Sequence, residues 1–230
     1  MTDGPDAVMI FAAGFGTRMG ALTRECPKPL IEVAGKPLFD HALALVRDVA
    51  PRRIVANTHY RADRMEAHLA ARGVTASPEP GEILDTGGGL KAALPLLGTG
   101  PVFTLNPDVI WRGPNPLRLL REAWDPARMD ALLLGVPPDR ARGRRGGGDF
   151  DIDDGGRARR GSGLIYGGAQ ILRTEGLADI ADRVFSLNLL WDRMIGAQRL
   201  YLLEYPGMWC DVGRPEGIAM AEALLEEPNV

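Results

Sequence analysis

A chain of 230 residues, 45% hydrophobic and 25% charged, is long enough to bury one sizeable core and is expected to form a single domain over residues 1–230. Its formal charge of -3 argues against a broad basic face for nucleic acid, yet leaves room for a local cationic site that holds a small anion. Cys26 and Cys210 lie far apart with no C-x-x-C partner, the amino terminus lacks a signal-peptide pattern, and no apolar run approaches the roughly 18–20 residues of a membrane span, so a reduced cytoplasmic protein is expected, with neither disulfide nor zinc site.

Residues 7–13 are a continuous apolar run ending in a turn signal, the pattern of a parallel strand covered on both faces. Residues 14–35 show little periodicity and read as a long loop, unusual enough in a compact domain to suggest function. Leu38, Phe39, Ala42, Leu45, Val46 and Val49 then follow helical spacing over 37–49, with Pro37 suited to a first turn. A strand over 53–57, a helix over 61–72 capped by Gly73 and a short strand over 75–77 come next.

After a proline-rich bend, EILDTGGG (82–89) reads as a loop entering a short helix that Pro95 ends. Residues 101–106 form the next buried strand, which stops at Asp108, and Asn115-Pro116 start a helix through 124. Strands and helices alternate up to here, which predicts a doubly wound, mostly parallel α/β sheet. Beyond the apolar strand at 131–136 the pattern changes. Residues 137–148 are rich in arginine and glycine and read as a mobile loop; 149–152 and 157–160 flank DDGG as a hairpin; and 164–172 is a strand broken at Gly167 and Gly168. Helices are expected at 177–182 and 186–195, a strand at 200–205, and a last helix opened by Pro215.

The stretch 8–30, VMIFAAGFGTRMGALTRECPKPL, combines backbone amides, a guanidinium and an ammonium, the groups that hold a polyphosphate. It is neither familiar phosphate loop. The sixth position of G-x-G-x-x-G is Met19, and G-K-[ST] is absent. Glycines after a buried strand still let N–H groups approach phosphate oxygens at the carboxyl edge of a sheet, while a structural glycine turn beside two solvated cations is the alternative. An NAD-binding oxidoreductase fails on Met19 and on the lack of an acid after the second strand.

The longer string AAGFGTRMGALTRECPKPLIEVAGKPLFDHAL resembles the signature of the sugar-1-phosphate nucleotidyltransferases, which runs through G-x-G-T-R-M and P-K-P-L to G-K-P. The resemblance implies a Rossmann-like, GT-A-like α/β sheet with a small β-rich sugar-binding subregion. It divides the chain into a nucleotide-binding half, about 1–136, and a sugar-binding half, about 137–230. Arg18 and Lys28 match the catalytic cations that contact phosphates. Ala12, Ala13, Gly14, Gly16 and Thr17 match the nucleotide loop, and LDTGGG, with Thr86 and Gly88, resembles the base-recognition loop. Asp108 in Asn106-Pro107-Asp108 and Asp211 in GMWCDVGRPE match the metal-binding pair, so Mg²⁺ is the implied cofactor and an NTP and a sugar 1-phosphate the implied partners. Asn57 and His59 end a strand facing the same edge, where the histidine reads as structural.

The E-K-P that many of these enzymes use for the sugar phosphate is absent. Instead GGGDFDIDDGGRARR, LIYGGAQIL and FSLNLLWDRMI resemble the N-acetylmuramate-1-phosphate uridylyltransferases of peptidoglycan recycling, implying UTP as donor and Asp149 and Gly168 at the sugar. The arginines at 140, 142, 144 and 145 would attract a muramate carboxylate or the triphosphate, or else are offset by the five acids from Asp139 to Asp154 in a solvated loop. Tyr205-Pro206-Gly207-Met208-Trp209 replaces a common H-x-G-x-W, and Arg214 replaces a threonine, so glucose 1-phosphate, mannose 1-phosphate and phosphocholine stay open as acceptors. A noncatalytic nucleotide-binding subunit is the reading of another class, and retention of Arg18, Lys28, Asp108 and Asp211 speaks against it. The oligomeric state is left open.

Overall fold

The structure, a computed structural model, describes residues 4–227. In chain order the strands and helices are β1 (Ala7–Ile10), the two-residue strands β2 (Glu32–Val33) and β3 (Lys36–Pro37), α1 (Leu38–Asp48), β4 (Arg53–Thr58), α2 (Ala62–Ala70), β5 (Thr75–Pro78) and α3 (Asp85–Leu97). They continue with β6 (Val102–Leu105), β7 (Val109–Arg112), α4 (Pro116–Ala123), β8 (Ala131–Val136), β9 (Ala141–Arg142), β10 (Phe150–Ile152), β11 (Ala158–Arg160) and β12 (Ile165–Leu172). The last are α5 (Asn188–Gly196), β13 (Leu200–Glu204), β14 (Met208–Asp211) and α6 (Glu216–Glu226).

Seven strands form the main sheet in the order β13-β8-β12-β6-β1-β4-β5, and only β12 runs antiparallel to its neighbours. Strand β1 has both faces covered, as its unbroken apolar run predicts. Val8 and Ile10 pack with Phe39, Val46 and Leu69 of α1 and α2, whereas Ala7 and Met9 pack with Leu90, Ala93 and Leu97 of α3. The chain leaves β1 for β4 and β5 on one side and returns to β6 on the other. This reversal opens a crevice at the carboxyl ends of β1 and β6.

A second sheet, β7-β14-β9, is backed by α6 through Ile110, Cys210, Val212, Ala221 and Leu224, and the residues flanking β7 and β14, Asp108 and Gly213, reach the crevice. The β7-β14 ladder ends at the pairing of Asp211 with Val109, extended by the Val212 N–H donating to the Asp108 carbonyl at 2.9 Å. Neither β7 nor β14 is long or regular enough in sequence to be expected as a strand.

Several local expectations change. Residues 85–89 are the first turns of α3 rather than a loop, because Gly87 and Gly88 are pressed against the chain at Arg183 and Phe185 and a helix is the compact way to do so. Pro95 lies inside the last turn of α3, where its missing N–H costs one hydrogen bond, and the helix continues to Leu97. Strand β12 runs unbroken through Gly167 and Gly168, with a register irregularity between Tyr166 and Gln170. Residues 177–182 form no α-helix, only a 3-10 turn at Glu175–Leu177. The segment 137–148 is anchored: it holds a 3-10 turn at Pro138–Arg140 and strand β9, which pairs with β14.

Candidate active site

The glycine loop leaves β1 and turns immediately. Gly16 sits at φ 63°, and a side chain there would meet Lys28 Cβ at 2.8 Å, so only glycine fits between the loop and the lysine. Two 3-10 turns follow, Thr17–Thr23 and Lys28–Leu30. The first is tied to the start of α2: the Tyr60 hydroxyl donates to the Thr23 carbonyl at 2.7 Å, and Arg61 and Arg64 donate to the carbonyls of Arg24 and Glu25. The long aperiodic stretch is thus held in place by long-range hydrogen bonds. Among the described residues none accepts from the N–H groups of Ala13, Gly14, Phe15 or Gly16, which leaves these donors available to a ligand.

The loop borders a cleft of about 310 Å³. Ala12, Ala13, Gly14, Gly16, Thr17, Arg18 and Lys28 line it on one side, Thr86 and Asp85 on another, and Asn106 and Asp108 on a third. Lys28 is only 8% exposed, and its ammonium donates to Asp108 Oδ2 at 2.5 Å. Strand pairing then brings Asp211 beside Asp108. Arg18 is the exposed cation of the group; a Cβ built on Gly213 would lie 3.3 Å from Arg18 Nη1 and 2.8 Å from Asp211 Oδ1.

Burial and then the Asp108 charge push the Asp211 carboxyl above its usual range, against the opposing pull of Lys28, Arg18 and the Gly213 N–H. Among the described residues Asp211 has no ion-pair partner within 4.0 Å. Two hard oxygen donors crowded together, one without a cation, fit a divalent metal that takes its remaining ligands from phosphates and water. No cluster of three or more metal-ligating side chains occurs among the described residues, so a protein-only metal cage is not the arrangement here.

The glycine loop and the start of α3 are braced by residues that the motifs do not include. Asn57 Oδ1 accepts the Ala12 N–H at 2.7 Å, and Asn57 Nδ2 donates to Glu79 Oε1 at 2.7 Å. Glu79, 2% exposed, accepts the Leu84 N–H on its other oxygen at 2.9 Å. One buried carboxylate therefore joins the glycine loop to the start of α3. A charged residue between Pro78 and Pro80 in a bend gives no such signal in sequence. His59 is structural, its Nδ1 lying 2.8 Å from the Glu79 carbonyl.

The structure does not bring every expected residue to the cleft wall. Gly88 lies behind it, its N–H donating to the Phe185 carbonyl at 3.0 Å, while Thr86 lines the cleft and accepts the Leu187 N–H at 3.0 Å. Gly168, at φ 89°, abuts Asn106, to whose N–H its carbonyl is bonded at 2.8 Å. Asn106 is the residue that reaches the cavity. Asp149 lines a second, adjoining cavity of about 300 Å³, which shares Asp85, Thr86 and Asn106 with the first. The arginines of 140–145 each meet a carboxylate: Arg140 with Glu204 at 3.8 Å, Arg142 with Glu227 at 2.6 Å, Arg144 with Asp149 at 3.0 Å and Arg145 with Glu216 at 3.9 Å. Three of those four acids lie outside 139–154, where local sequence had no means of pairing them. Tyr205 is fully buried, its hydroxyl bonded to the Pro114 carbonyl at 3.0 Å and its ring against Trp111, so this departure from the motif serves the core.

Residues 8–146 match the family described as MobA-like NTP transferase domain. The chain is 40% identical to an N-acetylmuramate alpha-1-phosphate uridylyltransferase of Caulobacter vibrioides, over 99% of this chain and 100% of that one. It is 34% identical to the Neisseria meningitidis protein of the same name, over 94% and 96%. Among solved structures, HddC from Yersinia pseudotuberculosis, complexed with GMP-PN, superposes with a TM-score of 0.76 at 24% identity, covering 96% of this chain and 99% of that one. A putative glucose-1-phosphate thymidylyltransferase from Bacillus anthracis gives 0.79 at 17% identity, over 97% and 96%. Both support the fold alone.

Proposed function

The chain belongs to the MobA-like NTP transferase family, and from that premise we propose that it transfers a uridylyl group from UTP to N-acetylmuramate 1-phosphate, releasing pyrophosphate. The family transfers nucleotidyl groups to sugar 1-phosphates, so the protein is an enzyme of this type; the base and the acceptor are the added steps. The observation that carries the reading is the convergence of Lys28, Asp108, Asp211 and Arg18 beside a loop with free N–H groups.

In the reaction, an oxygen of the sugar phosphate attacks the α-phosphorus of UTP. The new P–O bond forms as the bond to the β-phosphate oxygen breaks, and the electron pair leaves with pyrophosphate. The attacking oxygen is already anionic, so no general base is needed. The residues act by positioning and by neutralising charge. The loop at 12–17 holds the nucleotide, with Thr86 and the start of α3 at the base. Arg18 binds phosphate oxygens in a fork, and Lys28 supplies a compact charge from beneath.

Asp108 and Asp211 would hold Mg²⁺, which supplies charge neutralisation between two anionic substrates. The second cavity, bordered by Asp149 and backed by Gly168 through Asn106, receives the sugar. We read residues 1–136 as the nucleotide half and 137–230 as the sugar half of one domain, acting in cytoplasmic peptidoglycan recycling.

Pyrophosphate release over a matrix of UTP, dTTP, GTP and CTP against sugar 1-phosphates tests this. UTP with N-acetylmuramate 1-phosphate is expected to give the highest kcat/KM. Turnover of glucose 1-phosphate with none of the muramate would sink it.

A further inference from the structure

Four charged side chains border the second cavity: Asp85, Arg144, Asp149 and Arg160. Three are answered inside it. Asp149 takes Arg144 Nη2 at 3.0 Å and the Tyr166 N–H at 2.9 Å, and Asp85 Oδ1 takes the Thr86 N–H at 2.5 Å. Arg160 differs. Its Nε and Nη2 both donate to a single oxygen, Asp192 Oδ1, at 2.9 and 2.7 Å, and Asp192 is an exposed residue of α5 that does not border the cavity; the only cavity acceptor that Arg160 meets, among the described residues, is the Asn188 carbonyl, 3.4 Å from Nη2. Among the described residues, Nη1 of Arg160 has no acceptor.

The guanidinium is also oriented. It lies 4.8 Å from the Phe150 ring centroid and 5.8 Å from that of Trp191. Those rings do not swing. Trp191 Nε1 donates to Gln170 Oε1 at 2.9 Å, and Gln170 Nε2 donates to Thr104 Oγ1 at 3.0 Å, so the aromatic wall is bonded to β12 and β6 of the main sheet. Phe150 is fully buried. A guanidinium held on one side by the rings and on its Nε–Nη2 edge by a carboxylate has its Nη1 donors left to meet a second carboxylate.

We propose that Arg160 recognises a carboxylate on the sugar ring of the acceptor, and so selects an acidic sugar 1-phosphate, one carrying a carboxyl-bearing ether, over the neutral amino sugar that lacks it. This rests on the acceptor reading above. Lysine in the same place would keep the charge and lose the planar donor group held against the rings. Asp192 competes with the substrate for the same guanidinium, so its removal frees a donor.

The test is kcat/KM with UTP for N-acetylmuramate 1-phosphate and for N-acetylglucosamine 1-phosphate, in the wild type and in Arg160→Met, Arg160→Lys and Asp192→Asn, with thermal unfolding of each. The wild type is expected to prefer the muramate. Arg160→Met is expected to shrink the ratio of the two kcat/KM values by roughly 10- to 100-fold, mainly through KM, the size of a lost hydrogen bond to a charged group. Arg160→Lys should fall between, and Asp192→Asn should lower KM for the muramate. An unchanged ratio in Arg160→Met and Arg160→Lys, or Asp192→Asn behaving like Arg160→Met, overturns the role of Arg160 alone. A wild type that uses both acceptors equally overturns the acceptor reading and this inference with it.

Discussion

Lys28 carries two duties that sequence presents as one. It is the cation proposed for the phosphates, and it is the buried counter-charge of Asp108. Lys28→Met is therefore expected to lower kcat by about 10²- to 10³-fold, the cost of removing a preorganised charge from a transition state. It should also destabilise the fold by about 1–3 kcal/mol, because Asp108 loses its partner next to Asp211. Steady-state rates and denaturant unfolding of the same variant measure both; full kcat, or an unchanged unfolding midpoint, contradicts one duty or the other. Glu79 is the opposite case, with no chemistry in its position and a buried role. Glu79→Gln puts a donor against the Asn57 amide or the Leu84 N–H, so KM for UTP should rise roughly 10-fold with about 2 kcal/mol lost in stability. A KM that does not move shows that the brace does not shape the nucleotide loop. Motif residues announce themselves by type and spacing, as Gly16, Arg18, Lys28 and Thr86 do. Glu79 does not, because it acts through Asn57, 22 positions away, and although Asn106 and Arg160 lie inside matched strings, their places at the cavities depend on a surface made by several strands.

The helices were legible from apolar spacing, and what joins them was not. Helix α1 meets α2 across Asp40, whose carboxylate accepts Arg72 Nε and Nη2 at 2.6 Å each and lies 2.8 Å from His68 Nε2. Burial raises the Asp40 carboxyl, but the hydrogen bonds and charges of Arg72 and His68 outweigh it and leave the group below its usual range. A carboxyl depressed in the folded state stabilises above the unfolded value of about 3.9, and that contribution is lost as pH falls through the folded value. Asp40→Asn should thus cost about 2 kcal/mol at pH 7, and the gap from wild type should close in acid. Unfolding midpoints from pH 7 down to pH 3 check this; a gap that stays constant would mean that the ion pair is not its source. Similarly, 137–148 reads as a loop because its order comes from pairing with β14 and from acids on other elements, which no local pattern records.

Across the whole molecule, the cleft proposed for the nucleotide lies where the main sheet reverses direction, bordered by Asp108 and Gly213 beside the β7-β14-β9 sheet. A ligand spanning that junction binds the folded chain and not the unfolded one. UTP with Mg²⁺ at a hundred times its Kd should add about 2.7 kcal/mol of stability, which for a chain of this size is roughly 5–10 °C in Tm. UTP with EDTA should give a smaller shift, and equal shifts with and without the metal would speak against Asp108 and Asp211 as its ligands. The apolar run of β1 and the alternation of strand and helix through 131–136 were enough to determine the fold class, since burial and backbone geometry act over a few neighbouring residues, and the glycine, Arg18 and Lys28 string was enough to point to the family. The tertiary structure supplied the strand pairing that brings together Asp108 and Asp211, which the resemblance had paired, and it alone decided that Gly88 and Gly168 lie behind the cavity walls and that Arg160 borders the second cavity. Those relations depend on which strands pair and in what register, and that choice is made by the packing of the whole core.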